Sequence, residues 1–321
     1  MKTKVYIDGS EGTTGLRINE RFQGRDDVEI LTIDPEKRKN PVERGKLINA
    51  SDITFLCLPD AAAIEAVSLV ENDHVRIIDS STAHRTENGW AYGFPELSPA
   101  HREAIRTGKR IAVPGCHATG LISLLYPLIK GQIMPTDYPV VSFSLTGYSG
   151  GGKKMIAEYE AEGRDMELDS PREYALSQKH KHLKEMKAIC GLNQEPLFSP
   201  IVSDYYSGMV VSLPIYTNLL NKKVTPEELH DFYTSYYDTA KQPFIKVREF
   251  GCEEEMRGFL SGNGKSGWDG LEIFITGNKE RLLVSSRFDN LGKGASGAAI
   301  QCMNLMTGCE ETKGLNLGLN L

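Results

Sequence analysis

The chain of 321 residues is 40% hydrophobic, enough to bury two cores of ordinary domain size. Its 43 acidic and 37 basic residues give a formal charge of -6, which excludes the basic field of nucleic-acid-binding proteins. Six cysteines without CxxC spacing argue against a disulfide scaffold and a zinc site, and no apolar run suits a signal peptide or membrane span. We therefore expect an unprocessed cytoplasmic protein that acts on a small molecule, uses no metal, and binds neither nucleic acid nor membrane.

The first predicted elements are a strand over 4–7 and a helix that follows a glycine-rich turn, DGSEGTTGL. Glycine lets the backbone turn tightly and approach a pyrophosphate, whose charge is met by N–H groups at the start of the helix. The predicted cofactor contacts in this turn are Gly9, Ser10, Gly12, Thr13 and Gly15. The pattern is GxxGxxG, so a glycine turn without a ligand remains an alternative.

A second strand is predicted over 28–33, and Asp34 follows it at the place where dinucleotide-binding units recognise the ribose. Asp34 favours the free 2′-hydroxyl of NAD. Lys37, Arg38 and Lys39 come next and favour the 2′-phosphate of NADP. A solvated basic loop is the third interpretation, so this segment leaves the cofactor open.

Further alternation of strand (53–58), helix (61–70) and strand (75–78) leads to DSSTAHR. Hydroxyls and a guanidinium beyond the carboxyl end of a parallel strand suit an anion, so Ser81 and Arg85 are predicted to hold phosphate. The alternative is an ordinary turn with a helix cap. An irregular stretch, GWAYGFPELSP, and a helix over 100–107 come next.

Cys116 lies in RIAVPGCHATG, between a short apolar strand and an apolar helix. At a helix N-terminus, unpaired N–H groups and the helix dipole favour a thiolate and can hold an oxyanion. We therefore predict that Cys116 is a nucleophile, although free cysteine is often a small buried hydrophobe.

Beyond this helix the pattern changes to strands rich in β-branched and aromatic residues, which predicts a second domain with a mostly antiparallel sheet. The predicted strands are 140–146, 210–216, 244–249, 271–276 and 282–287. Thr225 and Glu228 form a capping box, with Pro226 at the first position of a helix that runs to about Thr239.

Two polar segments of this domain carry candidate site residues. In GYSGGGKK, Ser149 and Lys153 can contact an anion, although the composition also fits a flexible linker. In QKHKHLKEM, His180 and His182 share a face if the segment is extended, and histidine suits proton transfer near neutral pH. His117, beside the nucleophile, competes for the role of base.

The last predicted helix, over 295–306, follows a second glycine-rich turn, DNLGKGASG. Asn290, Gly294 and Gly297 are the predicted cofactor contacts there, orienting a nicotinamide. A lone helix of this composition suits packing against the first domain or a cofactor. The tail KGLNLGLNL is low in complexity and is either disordered or paired at its end.

The chain resembles the N-acetyl-gamma-glutamyl-phosphate reductase family, in particular its shorter form, within the semialdehyde dehydrogenase family. The motifs that carry this resemblance are GSEGTTG, DSSTAHR, GFPEL, PGCHATG, HKH and DNLGKGASGAA. It implies an α/β fold: a Rossmann-type dinucleotide-binding domain over 1–115 and 290–321, and an inserted α+β domain over 116–289. It also implies a homo-oligomer, either a dimer or a tetramer.

The resemblance further implies an NADP-dependent reaction of arginine biosynthesis, in which an acyl phosphate becomes an aldehyde through a thioester on Cys116. We favour His180 as the catalytic base, with His182 contacting substrate, but the two assignments can be exchanged. The alternatives are a reductase of aspartyl or carrier-linked amino-adipyl phosphate and a non-catalytic NADP-binding protein. PGCHATG argues against the aspartyl substrate.

Overall fold

The computed structural model describes residues 2–238 and 240–318, which form two compact units. The first unit comprises 2–115 and 295–315, and the second comprises 116–294 and 316–318. Thr239, at the predicted end of one helix, and the last three residues of the tail lie outside the described residues. In the described part of the chain, no helix is long and apolar enough to cross a membrane.

The first unit is built on a six-stranded sheet whose pairings are all parallel, in the order β2-β1-β3-β4-β6-β5. Apart from α2 and β5, its elements up to residue 115 follow the order that the sequence pattern predicts. They are β1 (Thr3–Asp8), α1 (Thr13–Phe22), β2 (Val28–Leu31), α2 (Pro41–Ala50), β3 (Ile53–Leu56), α3 (Asp60–Ser68), β4 (Arg76–Asp79), β5 (Ala91–Tyr92), α4 (Pro99–Thr107) and β6 (Arg110–Ala112).

Two elements of this unit differ from the expectation. The stretch GWAYGFPELSP, expected to be irregular, contains β5 and a 3₁₀ turn over Pro95–Leu97. Helix α2 was not predicted, although Asn40 caps it by accepting from the N–H groups of Val42 and Glu43, and Pro41 occupies its first turn.

The second unit has a seven-stranded mixed sheet in the order β11-β12-β13-β10-β7-β9-β8, in which four of the six pairings are antiparallel. Its elements are α5 (Cys116–Lys130), β7 (Val141–Gly147), α6 (Gly152–Glu160), β8 (Arg172–Glu173), α7 (Leu183–Cys190), β9 (Leu197–Ser203), β10 (Met209–Tyr216), α8 (Pro226–Tyr236), β11 (Ile245–Val247), β12 (Leu271–Gly277) and β13 (Arg281–Phe288). The capping box of Thr225 and Glu228 is present at the start of α8.

Helix α5 covers one face of this sheet. Gly120 packs against Val211 of β10 and Phe288 of β13, and the Ser286 hydroxyl donates to the Gly120 carbonyl. Side chains of the opposite parity lie on the other face, where Phe143, Leu197 and Leu283 are 47%, 56% and 41% exposed. We call these three residues and the strands around them the open face.

The chain returns to the first unit in α9 (Gly297–Thr307), which follows a π-helical turn over Gly292–Ser296. Ala298, Ala299, Ile300, Cys302 and Met303 of α9 join the core formed by β1, α1, β3 and β6. The predicted boundary put 290–321 in the cofactor domain. The contacts place 290–294 and 316–318 in the second unit, because Asn290 bonds Gly208 and Asn316 bonds Asp269 there.

Candidate active site

Two positions in the glycine-rich turn of the first unit have no room for a side chain. Gly9 has φ +86°, and a Cβ there would lie 2.3 Å from the Cys57 carbonyl oxygen; a Cβ on Gly15 would lie 2.4 Å from the Gly9 carbonyl oxygen. Only glycine fits either position. Gly12 precedes α1, and no side chain caps that helix, so its first N–H groups suit an anion.

A cavity of about 140 Å³ adjoins this turn. It is lined by Tyr6, Ile7, Ser10, Asn19, Ile30, Leu31, Thr32 and Ile33, at the ends of β1 and β2. The glycine turn and the uncapped start of α1 fit the pyrophosphate of a dinucleotide, and one predicted contact, Ser10, lines the cavity. Thr13 is the first residue of α1.

Arg38 and Asp34 differ in their surroundings. Arg38 forms an ion pair with Glu11 of the glycine turn, with both side chains about half exposed, so the guanidinium lies beside the turn. The Asp34 carboxylate accepts from the Glu36 N–H at 3.0 Å and closes a local turn. Glu11 is a neighbour of Arg38 that the sequence interpretation did not weigh.

Side chains of the DSSTAHR loop form hydrogen bonds with one another and with nearby backbone carbonyls. Ser81 donates from its hydroxyl to Asp79 at 2.7 Å, and Asp79 also contacts His84 Nδ1 at 2.6 Å. Arg85 is buried and donates to the carbonyls of Ser80 and Val113 at 3.0 and 2.9 Å. Arg85 thus fixes the strand end three residues before Cys116, a role that the sequence did not reveal, and its phosphate contact stays a prediction.

In the second unit, Cys116 is the first residue of α5 and is half-buried. It therefore has the predicted position at a helix N-terminus, where the dipole favours a thiolate. Gly294 lies against it, since a Cβ on Gly294 would be 2.9 Å from Cys116 Cβ. Burial raises the pKa of the Cys190 thiol and, to about 12, that of Cys57, so these two thiols are poor nucleophiles.

Three histidines come together, one of which, His117, is the residue after Cys116. The ring of His117 lies 5.4 Å from that of His180 and 5.5 Å from that of His182, and the latter two are 4.6 Å apart. His180 and His182 precede α7 in a turn rather than in a strand, but both still face His117. The structure thus assembles residues that the sequence separates by more than 60 positions.

His117 is a buried neutral histidine with both nitrogens occupied. Its Nδ1 is 2.6 Å from Ser144 Oγ, and its Nε2 is 2.6 Å from the Tyr174 hydroxyl. Burial, together with positive charge on His180 and Lys181, lowers the pKa of His117 to about 3. It is therefore unsuited to the role of base.

Tyr174 was missed by the sequence analysis, and no local pattern marks it. Burial raises the pKa of the Tyr174 phenol, and negative charge on Cys116 raises it further. Its ring is also 6.1 Å from that of His180.

His180 accepts at Nδ1 from the His182 N–H at 3.2 Å. A neutral imidazole has one lone pair and one N–H, so this bond leaves the proton of neutral His180 on Nε2. His180 is only half-buried, whereas His182 is buried.

Asn290 and Ser149 are joined by a hydrogen bond, whereas Lys153 is exposed to solvent. The Asn290 carbonyl accepts from the Gly208 N–H at 2.8 Å, and its amide donates to Ser149 Oγ at 3.0 Å. Both residues are buried, so Asn290 directly positions the Ser149 hydroxyl. Lys153 is exposed on α6, in a segment that was expected to be a loop. Gly297 begins α9 in the first unit.

Two family models match the chain. That described as the NAD binding domain of semialdehyde dehydrogenase matches residues 3–106, and that described as the dimerisation domain matches 116–290. The chain is similar in structure to aspartate semialdehyde dehydrogenase from Francisella tularensis, with a TM-score of 0.70 and 16% identity over 95% of this chain and 100% of the other. This likeness supports the predicted α/β fold with its two sheets.

Two relatives are much more similar in sequence. N-acetyl-gamma-glutamyl-phosphate reductase 2 of Nostoc sp. is 44% identical over 98% of this chain and 99% of its own length. N-acetyl-gamma-glutamyl-phosphate reductase of Chelativorans sp. is 42% identical over 95% of this chain and 98% of its own length. The chain therefore belongs to the semialdehyde dehydrogenase family and, within it, to the N-acetyl-gamma-glutamyl-phosphate reductases.

Proposed function

We propose that the protein reduces N-acetyl-L-glutamyl 5-phosphate, with NADPH, to N-acetyl-L-glutamate 5-semialdehyde and phosphate in arginine biosynthesis. The observation that carries this proposal is the position of Cys116 at the first turn of α5, beside a cluster of three histidines, in a chain of this family. A thiol placed in this way can form a thioester with an activated acyl group.

Cys116 supplies the nucleophile. Its thiolate attacks the acyl carbon, a carbon–sulfur bond forms, and phosphate leaves with the electrons of the broken carbon–oxygen bond. NADPH, when bound, supplies the hydride that reduces the thioester carbon. The resulting oxyanion is held by N–H groups at the start of α5 and collapses to the aldehyde, which returns the thiolate to Cys116.

The two remaining histidines take different roles in this proposal. His180, with its proton on Nε2, donates a hydrogen bond to the oxyanion and keeps its own proton. His182 is then the residue that moves a proton to the departing phosphate. This assignment reverses the preference drawn from the sequence, where His180 was favoured as the base.

His180→Gln and His182→Gln test the assignment. Glutamine retains an N–H donor but does not titrate near neutral pH. We expect His180→Gln to keep most of kcat and His182→Gln to lose it, together with one limb of the pH profile. Loss of that limb in His180→Gln alone would restore His180 as the base.

The first unit holds the cofactor through its glycine turn, and Arg38 beside that turn favours the 2′-phosphate of NADP over the free hydroxyl of NAD. Titration of the protein with NADP and with NAD tests this choice. Tighter binding of NAD would mean that Asp34 outweighs Arg38.

Ser81, Arg85, Ser149 and Lys153 are the proposed substrate contacts, with Arg85 and Ser81 holding the phosphate. Asn290, Gly294 and Gly297 remain proposed contacts of the cofactor. Arg85→Gln should raise the KM for phosphate in the reverse reaction more than the KM for the semialdehyde. An equal rise in both KM values would mean that Arg85 does not contact the phosphate and only holds the backbone carbonyls of Ser80 and Val113.

The match to a dimerisation domain indicates that the protein forms a homo-oligomer. We infer that two copies associate through the open face, because it exposes apolar side chains of Phe143, Leu197 and Leu283 on neighbouring strands. Phe143→Asp should halve the mass measured by sedimentation, and an unchanged mass would contradict this surface. The six free cysteines suit the reducing cytoplasm, where we place the protein.

The assay of the reaction runs in reverse. N-acetylglutamate semialdehyde, phosphate and NADP are mixed with the protein, and absorbance of the reduced cofactor is followed. Activity with aspartate semialdehyde instead would overturn the substrate assignment. Cys116→Ser should be inactive but should still bind NADP, and substantial activity in it would exclude the thioester.

A further inference from the structure

Strand β8 is short, and the side chain of Gln178 continues its pairing with β9. Arg172 lies opposite Val202, and this antiparallel register would place Leu176 opposite Phe198, in a pair that exchanges two backbone hydrogen bonds. Leu176 is instead 74% exposed. The Gln178 amide donates to the Phe198 carbonyl at 2.8 Å, and the Phe198 N–H donates to the Gln178 side-chain oxygen at 2.9 Å. The side-chain amide therefore makes the two bonds that a paired backbone residue would make.

Two residues of this segment have a left-handed backbone conformation. Ala175 has φ +52° and Gln178 has φ +56°, and the Gln178 N–H donates to the Ala175 carbonyl at 2.9 Å. Residues with a Cβ adopt this conformation at a cost in free energy. Such strain persists only where the surrounding contacts compensate for it, and it is common at functional sites. Here the strained residues lie between Tyr174 and His180, both of which contact His117.

Phe198 connects the Gln178 amide with the histidines. The centroid of its ring lies 5.1 Å from that of His180 and 5.1 Å from that of His117. Phe198 is buried, so its backbone N–H and carbonyl would be costly to leave without partners. By bonding both groups, Gln178 ties the segment before His180 to the residue whose ring contacts the His180 ring.

We propose that Gln178 is a positioning residue for His180. Its amide fixes residues 175–182 to the backbone of Phe198, and this keeps the His180 ring against the Phe198 ring. The inference rests on the proposed function in one respect, since it takes His180 as the residue that donates a hydrogen bond to the oxyanion. It gives the strained segment before the two histidines a task in the reaction.

Gln178→Ala tests the proposal, because it removes both bonds to Phe198 while residue 178 keeps a Cβ. The first measurement is the nuclear Overhauser effect between the ring protons of Phe198 and His180, with the His180 resonances identified by their loss in His180→Gln. We expect this effect in the unsubstituted protein and its loss in Gln178→Ala. The measurement uses neither substrate nor cofactor, so a wrong substrate assignment would leave the result interpretable.

The second measurement is steady-state kinetics. Gln178→Ala should lower kcat about tenfold and change KM less, because a displaced His180 stabilises the oxyanion of the transition state poorly. In Gln178→Glu the carboxylate can still accept from the Phe198 N–H but cannot donate to the carbonyl, so kcat should lie between the values of Gln178→Ala and the unsubstituted protein. The same two measurements on Gln178→Glu decide the matter if Gln178→Ala does not fold.

Gln242→Ala is the matched control. The side-chain amide of Gln242 accepts from the Ile245 N–H at 2.9 Å and donates to the Ile245 carbonyl at 2.6 Å, as that of Gln178 does with Phe198. Ile245 begins β11, at the opposite edge of the sheet from β8. Gln242→Ala should therefore lower stability to a similar degree but leave kcat and the nuclear Overhauser effect unchanged. A retained effect in Gln178→Ala, or an equal fall of kcat in the two alanine variants, would overturn the proposal.

Discussion

Gly120→Ala tests how rigidly α5 holds Cys116, the proposed nucleophile. A Cβ at residue 120 would lie 2.3 Å from Val211 Cγ2, 2.6 Å from Val211 Cβ and 3.0 Å from Phe288 Cε1. The first contact is shorter than ordinary van der Waals contact by roughly 1.2–1.7 Å. Val211 cannot retreat easily, because β10 is paired on both sides, with β7 and β13.

The expected cost combines two opposing effects. Overpacking in a closed core costs about 1–3 kcal/mol, whereas replacing glycine by alanine in a helix returns about 1 kcal/mol. The upper part of the range applies because the hydroxyls of Ser286, Tyr233 and Tyr237 also fix α5 through bonds to its carbonyls. We expect a net loss of about 1–2 kcal/mol, or roughly 2–8 °C in Tm.

The substitution should also lower kcat strongly. Cys116 lies one turn before Gly120, so a shift of α5 by about 1 Å displaces the thiol, and misplacement on that scale costs about a hundredfold in rate. The assays are urea unfolding, followed by fluorescence, and steady-state kcat with N-acetylglutamate semialdehyde.

Gly45→Ala in α2 is the control, because a Cβ there would meet only Leu69 Cβ at 3.7 Å. It should leave kcat unchanged and add about 0.5–1 kcal/mol of stability. A Gly120→Ala protein as stable and active as the Gly45→Ala protein would refute the reasoning on α5.

Three further predictions concern other parts of the chain. The pKa of His117 is about 3 when folded against 6.5 in the unfolded chain, so unfolded protein binds more protons between these pH values. The free energy of unfolding should therefore be constant above pH 6.5 and should fall by up to about 1.4 kcal/mol per pH unit as the pH drops toward 3. In urea titrations, His117→Gln should reduce this dependence on pH. An equal dependence in the variant would contradict the low pKa of His117. Glu11→Gln should tighten NADP binding several-fold at low salt without changing NAD binding, because it releases Arg38, and an equal effect on both cofactors would exclude Arg38 from the 2′-phosphate. Asn290→Ala should raise the substrate KM about fivefold, as expected for loss of about 1 kcal/mol of positioning at Ser149, and an unchanged KM would remove Ser149 from the substrate contacts.

The fold and the family were predictable because their signals are local. The glycine turn, the proline and glycine before Cys116 and the capping box of α8 each specify backbone geometry within a few residues, and the family assignment that these motifs supported is confirmed by relatives of 42–44% identity. The predicted dinucleotide-binding fold with a second, mostly antiparallel sheet is likewise confirmed.

Other elements gave weaker signals. Strand β9 contains Pro200, which normally argues against an interior strand, yet it pairs with β7 on one side and with the two residues of β8 on the other. The sequence of β9 therefore lacks the pattern of a regular central strand, which made this strand hard to predict. Helix α2 was missed even though Asn40 and Pro41 together form a recognisable start signal.

The connections within the site were not predictable from the sequence. His117 and Tyr174 are 57 residues apart, and His117 and Ser144 are 27 apart, so only the register of the sheet and the packing of α5 bring them together. Arg85 and Val113, and likewise Asn290 and Ser149, are also far apart in the sequence and meet only in the folded chain. The roles of the predicted site residues remain predictions, and the variants above test them.

The return of α9 to the first unit has a consequence for how the chain is made. Residues between 298 and 306 complete a core whose other buried members precede residue 114, and most of the second unit is translated between them. During translation, the strands of the first unit are made about 180 residues before α9, the helix that completes their core. The second unit has all the strands of its sheet before α9 is made. In arrested nascent chains from which residue 290 has just emerged from the ribosome, the second unit should therefore resist protease while the first unit is still cleaved.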